Sequence, residues 1–290
     1  YIYYLMEVDS KIKGLAELIR LDLSFAAGIC VVAGEIIALK GIPHLLEVLA
    51  GFSCGFFISA SALILNDYFD LESDRINAPS RPLPSGRVSK SDIVYLTIIT
   101  SAIGLYSAFL LGLPALIIGV IFWVVGVLYN WKLKRTGLFG NIMVASSVAI
   151  TFILGGIAVR DPWNVTVWSF GLMAFLVDLG EEISADAMDS EGDKLQNSKS
   201  IAITRGRKFA LKVSSLLFGL VILVSFFPLV LGNLGLVYLL PMALIDANIV
   251  YFVSKLLRSK TDAEGRSSII GVYRGIMIGI VILVLAVILF

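Results

Sequence analysis

The chain has 290 residues, 58% of them hydrophobic and 16% charged, with a net charge of +1. A soluble domain of this length cannot bury so much apolar surface, so composition excludes an ordinary globular protein and points to an all-α integral membrane protein. The near-zero net charge gives no footprint for a nucleic acid.

In chain order the apolar runs predict nine transmembrane helices, at 16–39, 45–65, 93–112, 115–131, 140–159, 165–184, 209–229, 234–257 and 269–290. Each is near the roughly 20 residues that cross a bilayer. Alternating strand patterning is absent, and helices satisfy their own backbone bonds in lipid, which argues against a barrel. No stretch between the spans is long enough for another domain, so 1–290 reads as a single transmembrane domain. The opening Tyr-Ile-Tyr-Tyr carries no signal-peptide pattern, which leaves the first span as the insertion signal. Cys30 and Cys54 lie inside apolar spans as small core residues, and the only histidine, His44, sits in a short loop. Neither a disulfide framework nor histidine catalysis is expected.

The loops alternate between long and charged and short and nearly neutral. The N-terminal segment and loops 66–92, 130–139, 182–208 and 255–268 hold most of the lysines and arginines; the opposite loops hold only Lys40 and Arg160. The positive-inside rule puts the N-terminus and long loops in the cytoplasm, and nine spans then put the C-terminus outside. Segment 75–92 contains Pro79, Pro82, Pro84 and Gly86 and is expected as turns. Pro228 is expected to help end the seventh span and Pro241 to kink the eighth. Acidic clusters end the second and sixth spans, on the same side, which suggests two four-helix units plus a ninth helix.

The first cluster is NDYFDLESD, residues 66–74, and the second is DLGEEISADAMDSEGD, residues 178–193; together they hold 11 of the 22 acidic residues. At about 100° per helical residue, Asn66, Asp70 and Asp74 fall within about 80° of one another. Asp67 lies further round, and Glu72 points elsewhere as bystander charge. Glu182, Asp186, Asp189 and Asp193 form a stripe about 60° wide, which Asp178 extends one turn deeper. Like charges at this spacing repel, and ionisable groups near a bilayer are costly, so something must offset them. Carboxylates and an amide oxygen suit Mg²⁺, which shares its coordination sphere readily with phosphates. Two facing stripes can therefore hold Mg²⁺ with a diphosphate between them. The plainer reading is a pair of wetted helix ends balanced by nearby Lys and Arg.

N-D-x-x-D-x-x-x-D at 66–74, followed by N-A-P-S-R-P-L-P-S-G at 77–86, resembles the first motif of the UbiA superfamily of intramembrane prenyltransferases. The second stripe resembles that superfamily's D-x-x-x-D motif. Within the superfamily, E-I-x-x-D-x-x-D-x-E-G-D at 182–193 and S-I-A-I-T-R-G at 200–206 are most similar to archaeal digeranylgeranylglyceryl phosphate synthases. Two positions depart from the pattern. Glu182 replaces an Asp, and Glu181 stands where that subgroup leads one to expect a basic residue.

The resemblance implies nine helices around a central cavity that opens near the cytoplasmic face. It implies an Mg²⁺-dependent prenyltransferase that takes geranylgeranyl diphosphate and a lipid acceptor, geranylgeranylglyceryl phosphate, with no obligate protein partner. Asn66, Asp70, Asp74, Glu182, Asp186 and Asp189 would hold the metal, which neutralises the leaving diphosphate. Arg75, Arg81, Lys132, Lys134 and Arg135 would add charge-assisted contacts to diphosphate oxygens. Tyr129 and Lys134, in LYNWKLKR, match a family pattern of a tyrosine followed by a basic loop; an interfacial role for Tyr129 and Trp131 stays open. Arg20 is a candidate to face the cavity. Lys199, Arg205, Arg207 and Lys208 are substrate-binding candidates or plain positive-inside charges. Asp67 is the candidate general base. An aromatic acceptor, as in quinone or haem O pathways, is the alternative within the enzyme class; a divalent-cation transporter is the alternative outside it.

Overall fold

The computed structural model describes residues 2–195, 198–231, 235 and 238–289, with side chains described for all of these except 2–8, 77 and 190–195. These residues build thirteen α-helices and, among them, no strand. In order they are α1 (Ile2–Leu18), α2 (Leu21–Leu39), α3 (Leu45–Phe69), α4 (Leu71–Asn77), α5 (Lys90–Leu111), α6 (Leu113–Trp131) and α7 (Leu138–Ala158). Then come α8 (Val165–Leu195), α9 (Ile201–Arg205), α10 (Arg207–Val224), α11 (Phe227–Val230), α12 (Leu239–Arg258) and α13 (Asp262–Leu289). A 3₁₀ turn, Leu133–Thr136, joins α6 to α7.

Local chemistry marks several helix starts. Before α5, the Ser89 hydroxyl accepts from the Asp92 N–H at 3.2 Å and the Asp92 carboxylate accepts from the Ser89 N–H at 2.9 Å, a reciprocal capping box. Glu47 does the same for α3, accepting from the His44 N–H at 2.9 Å. Pro114 sits in the first turn of α6, where its missing N–H costs no intrahelical bond.

Successive long helices pack on one another: α2 on α3, α3 on α5 and α5 on α6, then α7 on α8, α8 on α10 and α10 on α12. Helix α13 lies against α12, α8 and α2, and α7 closes the arrangement by packing on both α2 and α6. The α2–α7 contact is backbone on backbone. A Cβ on Gly34 would collide with the Phe152 carbonyl oxygen, and one on Gly155 with that of Val31. Small residues at such a crossing let the two helices approach closely, which is how helices associate when lipid offers no hydrophobic drive.

Among the described residues, eight segments are long and apolar enough to cross a membrane: α2, α3, α5, α6, α7, α10 with α11, α12 and α13. The chain is thus a multi-pass membrane protein. Helix α8, where the sixth span is expected, carries Asp178, Glu181 and Glu182 along the part that would cross, so composition alone does not qualify it.

Several boundaries differ from expectation. The first span does not begin at residue 16: the helix breaks at Arg20, whose backbone is left-handed (φ 45°, ψ 66°). No Gly or Pro marks that break. The loop expected at 255–268 shrinks to 259–261, because α12 continues to Arg258 and α13 already starts at Asp262. Glu264 stabilises that start by accepting from the Lys260 N–H at 2.7 Å. Pro241 does not kink a helix; it occupies the first turn of α12, where proline is tolerated. The proline-rich segment forms turns from Ala78 onward, although α4 carries helix through Asn77.

Candidate active site

Helix α3 ends at Phe69 and α4 begins at Leu71, yet the hydrogen-bond ladder runs through the junction. The Asp70 N–H donates to the Asn66 carbonyl at 2.9 Å and the Asp74 N–H to the Asp70 carbonyl at 2.8 Å. Asn66, Asp70 and Asp74 therefore keep the common face that helical spacing predicts, and all three line one cavity of about 1140 Å³. On the other wall α8 continues well past the expected end of its span. It presents Asp178, Glu182, Asp186 and Asp189 to the same cavity, with Glu181 beside them. The side chain of Asp193 lies outside the described residues.

Each jaw has its own cations and amides. Lys134, on the 3₁₀ turn, pairs with Asp70. Arg81 Nη1 donates to both Asp74 carboxylate oxygens, at 2.9 and 2.7 Å. Burial pushes the Asp74 carboxyl above its ordinary range, against the opposing pull of the Arg81 bonds. Asn66 Nδ2 donates to Asn130 Oδ1 at 3.1 Å, and Asn130 is itself fixed by donating to the Ala62 carbonyl at 2.8 Å. Across the cavity, Asn141 at the start of α7 donates to Asp186 Oδ2 at 2.9 Å. Arg266, on the second turn of α13, pairs with Asp189.

Among the described residues no three acidic, His or Cys side chains are closed into a preformed metal cage. The predicted donor set nonetheless fits a hard divalent cation: Asn66, Asp70, Asp74, Glu182, Asp186 and Asp189, five carboxylates and one amide, all line one space. Asp178 Oδ2, buried among them, has no hydrogen-bond partner, so the acidic wall is short of cations as it stands. Below the acids the lining turns apolar. Cys54 stands twelve residues deeper than Asn66 on α3, about 18 Å along the helix. Phe152 and Phe170, whose rings stack at 5.8 Å, line the deep part together with Met242 and Ile280.

Of the predicted site residues, Arg20, Arg81, Tyr129, Lys134 and Arg135 also line the cavity. Others do not. Arg75 is exposed and pairs at 3.0 Å with Glu72, outside the cavity. Lys132 and Lys199 are exposed and off the lining; Lys199 reaches the 3₁₀ turn only through its N–H, which donates to the Arg135 carbonyl at 3.3 Å. Arg205 lies exposed with its guanidinium 5.7 Å over the Phe209 ring. Arg207 anchors the α12–α13 link by donating to the Ser259 carbonyl at 3.0 Å and hydroxyl at 2.9 Å, and Lys208 is exposed. Asp67 does not fit a general base. It is 3% exposed, is off the cavity lining, and is held by Arg20 at 2.8 Å and Arg81 at 3.8 Å.

Cavity residues that escaped the sequence reading include Asn130, Asn141, Tyr273 and Arg266. The two asparagines had a usable signal, since an amide inside an apolar run is costly unless satisfied or functional. Arg266 had none, because its segment looked like loop.

Residues 27–288 match the model of the UbiA prenyltransferase family. The chain is 34% identical over 249 residues to digeranylgeranylglyceryl phosphate synthase of Thermococcus kodakarensis, a match spanning 86% of this chain and 88% of that protein. Among solved structures, one of digeranylgeranylglyceryl phosphate synthase superposes with a TM-score of 0.77 at 30% identity, over 97% of this chain and 99% of that one. A UbiA homologue from Archaeoglobus fulgidus bound to GPP and Mg²⁺ gives a TM-score of 0.69 at 16% identity, over 93% and 99% of the two chains, and shares the fold. With two acidic jaws on one cavity and a family match over nearly its whole length, the chain belongs to the UbiA prenyltransferase family.

Proposed function

We propose that this enzyme transfers a geranylgeranyl group from its diphosphate to geranylgeranylglyceryl phosphate, forming the second ether link of archaeal membrane lipids. The observation that carries the reading is the single cavity that joins two facing carboxylate walls at one end to an apolar tube at the other. Relatives about one-third identical over most of the chain bear the name of that activity.

Asn66, Asp70 and Asp74 on one wall, and Glu182, Asp186 and Asp189 on the other, are the residues that would hold Mg²⁺. The metal supplies charge neutralisation of the leaving diphosphate when bound. Arg81, Lys134 and Arg135 meet the diphosphate oxygens from the first wall, and Arg20 stands beside them. As diphosphate arrives, Lys134 and Arg81 exchange a carboxylate partner for a phosphate one, keeping a charge-assisted bond throughout. The allylic carbon–oxygen bond breaks with its electron pair leaving on the diphosphate. The acceptor hydroxyl oxygen then bonds that carbon, and its proton leaves with the released diphosphate. Tyr129 lines the cavity, and its ring would face the allylic cation. The prenyl tail lies among the apolar side chains, which also keep water from the cation.

In this reading α8 completes nine spans. The acidic end of the cavity, with the N-terminus, faces the cytoplasm beside the basic loops, and the C-terminus lies outside.

The test is turnover by the purified protein with geranylgeranyl diphosphate, geranylgeranylglyceryl phosphate and Mg²⁺. Product is expected from the wild type and not from Asp70→Ala or Asp186→Ala. Product with 4-hydroxybenzoate and none with the glyceryl phosphate would replace the acceptor; full activity in either variant would remove the site.

A further inference from the structure

We propose that Arg266 is the seat of the acceptor's phosphate. The assignment rests on the function proposed above, which brings two anionic head groups, a diphosphate and a phosphate monoester, into one cavity.

Five basic residues line that cavity: Arg20, Arg81, Lys134, Arg135 and Arg266. The first four come from the half of the chain that ends at α7. Three of them are already bound to acids of the α3–α4 segment: Arg20 to Asp67, Arg81 to Asp74 and Lys134 to Asp70. Among the described residues, Arg266 is the one cation that reaches the cavity from α8 or beyond. It stands on α13, which packs against α8, the helix that carries the second acidic wall, and it pairs with Asp189 of that wall.

Its position is built rather than incidental. The link 259–261 before α13 is tied down by Arg207, which donates to the Ser259 carbonyl and hydroxyl and, at 3.3 Å, to the Thr261 carbonyl. Glu264 caps the same link from within α13 by accepting from the Lys260 N–H. A guanidinium on a helix fixed in this way is pre-organised for a planar, two-pronged contact with a phosphate.

The bond that Arg266 makes now is easily exchanged. Its side chain is 50% exposed and that of its partner Asp189 is 49% exposed, and pairs so open to solvent hold little free energy. When Asp189 turns to a cation, Arg266 loses its partner in a cavity rich in carboxylates. A phosphate monoester brought there by the acceptor takes that place, and the acceptor head is held on the α13 side of the diphosphate. Without Arg266, the second anion would sit beside the acids of α8 with no cavity cation from α8 or beyond to offset it.

The experiment is steady-state kinetics of the full-length protein in detergent micelles, varying donor and acceptor separately. Arg266→Ala is expected to raise KM for geranylgeranylglyceryl phosphate about tenfold or more while leaving KM for geranylgeranyl diphosphate within about twofold. Arg266→Lys should recover part of the loss. With geranylgeranylglycerol, which lacks the phosphate, wild type and Arg266→Ala should turn over equally once Mg²⁺ is saturating for both proteins. A rise in both KM values together, or a fall in kcat alone, would make Arg266 a structural latch and overturn the assignment. So would a variant that still favours the phosphorylated acceptor as strongly as the wild type. No product from the glyceryl phosphate in the wild type would instead overturn the function itself. If the alanine variant does not fold, Arg266→Gln is read against the same outcomes.

Discussion

Arg20 and Asp67 form a part-buried ion pair that ties the break between α1 and α2 to α3: Arg20 Nη2 lies 2.8 Å from Asp67 Oδ1, and Asp67 is 3% exposed. The left-handed backbone at Arg20 turns its side chain back onto α3, and a second nitrogen contact from Arg81 lies at 3.8 Å. Asp67→Ala would take one partner from Arg20, which keeps Asn66, and from Arg81, which keeps Asp74, at a cost of about 1–3 kcal/mol. The expected result is a lower Tm in detergent, with activity lost in step with folded protein. A variant with unchanged Tm and no turnover would restore Asp67 as a base.

Asn141 touches no substrate in this scheme, yet it orients Asp186 through a 2.9 Å bond. Losing a group that orients a metal ligand typically costs ten- to a hundredfold in metal affinity. Asn141→Ala should therefore raise the Mg²⁺ concentration for half-maximal turnover by about tenfold, with kcat at saturating Mg²⁺ mostly kept. A Mg²⁺ titration of both proteins reads this directly.

The cations divide by where they point. Arg81→Ala removes a cavity cation and should raise KM for the prenyl diphosphate about tenfold or more, the loss of one charge-assisted contact. Arg75→Ala, Lys132→Ala and Arg205→Ala alter exposed side chains off the lining and should leave that KM within about twofold. Donor KM values across the four variants check the division.

The stacked Phe152 and Phe170 rings line the apolar part of the cavity, where the proposed prenyl tail would lie. Phe170→Ala opens space there, at an expected cost of about 3 kcal/mol in stability. It should improve the use of donors one isoprene unit longer than geranylgeranyl diphosphate relative to the wild type. Competition between the two donors, followed by mass analysis of products, measures the shift.

Gly34 and Gly155 are the points where α2 and α7 touch backbone to backbone. Gly155→Ala forces a methyl into the Val31 carbonyl and should destabilise by about 1–3 kcal/mol or more. The expected readout is a Tm several degrees lower, with donor and acceptor KM values unchanged in the protein that remains folded.

The acidic jaws were legible in the sequence because helical spacing alone places them. Asn66, Asp70 and Asp74 repeat every fourth residue, and the stripe on α8 alternates steps of four and three, so the face survives even the break at Asp70. Which basic residues serve the site was not legible. Arg75 and Arg81 are both charges near a membrane surface, and only the fold of the intervening turns sends one outward and the other onto Asp74. Arg266 was hidden for a related reason: a charged run between two apolar spans reads as loop, although polar residues can equally extend both helices beyond the bilayer. The break at Arg20 left no trace because tertiary pairing with Asp67, rather than Gly or Pro, holds the strained backbone there.

In the proposed scheme, the pairing of Asp70 with Lys134 and of Asp74 with Arg81 would make the protein its own competitor for magnesium. A bare ion must evict an ammonium or guanidinium that has nowhere better to go, whereas an ion arriving with a diphosphate brings the displaced cations new oxygens to hold. Cation loading would thereby be coupled to the presence of substrate, the acidic mouth chelating weakly until there is something to cleave.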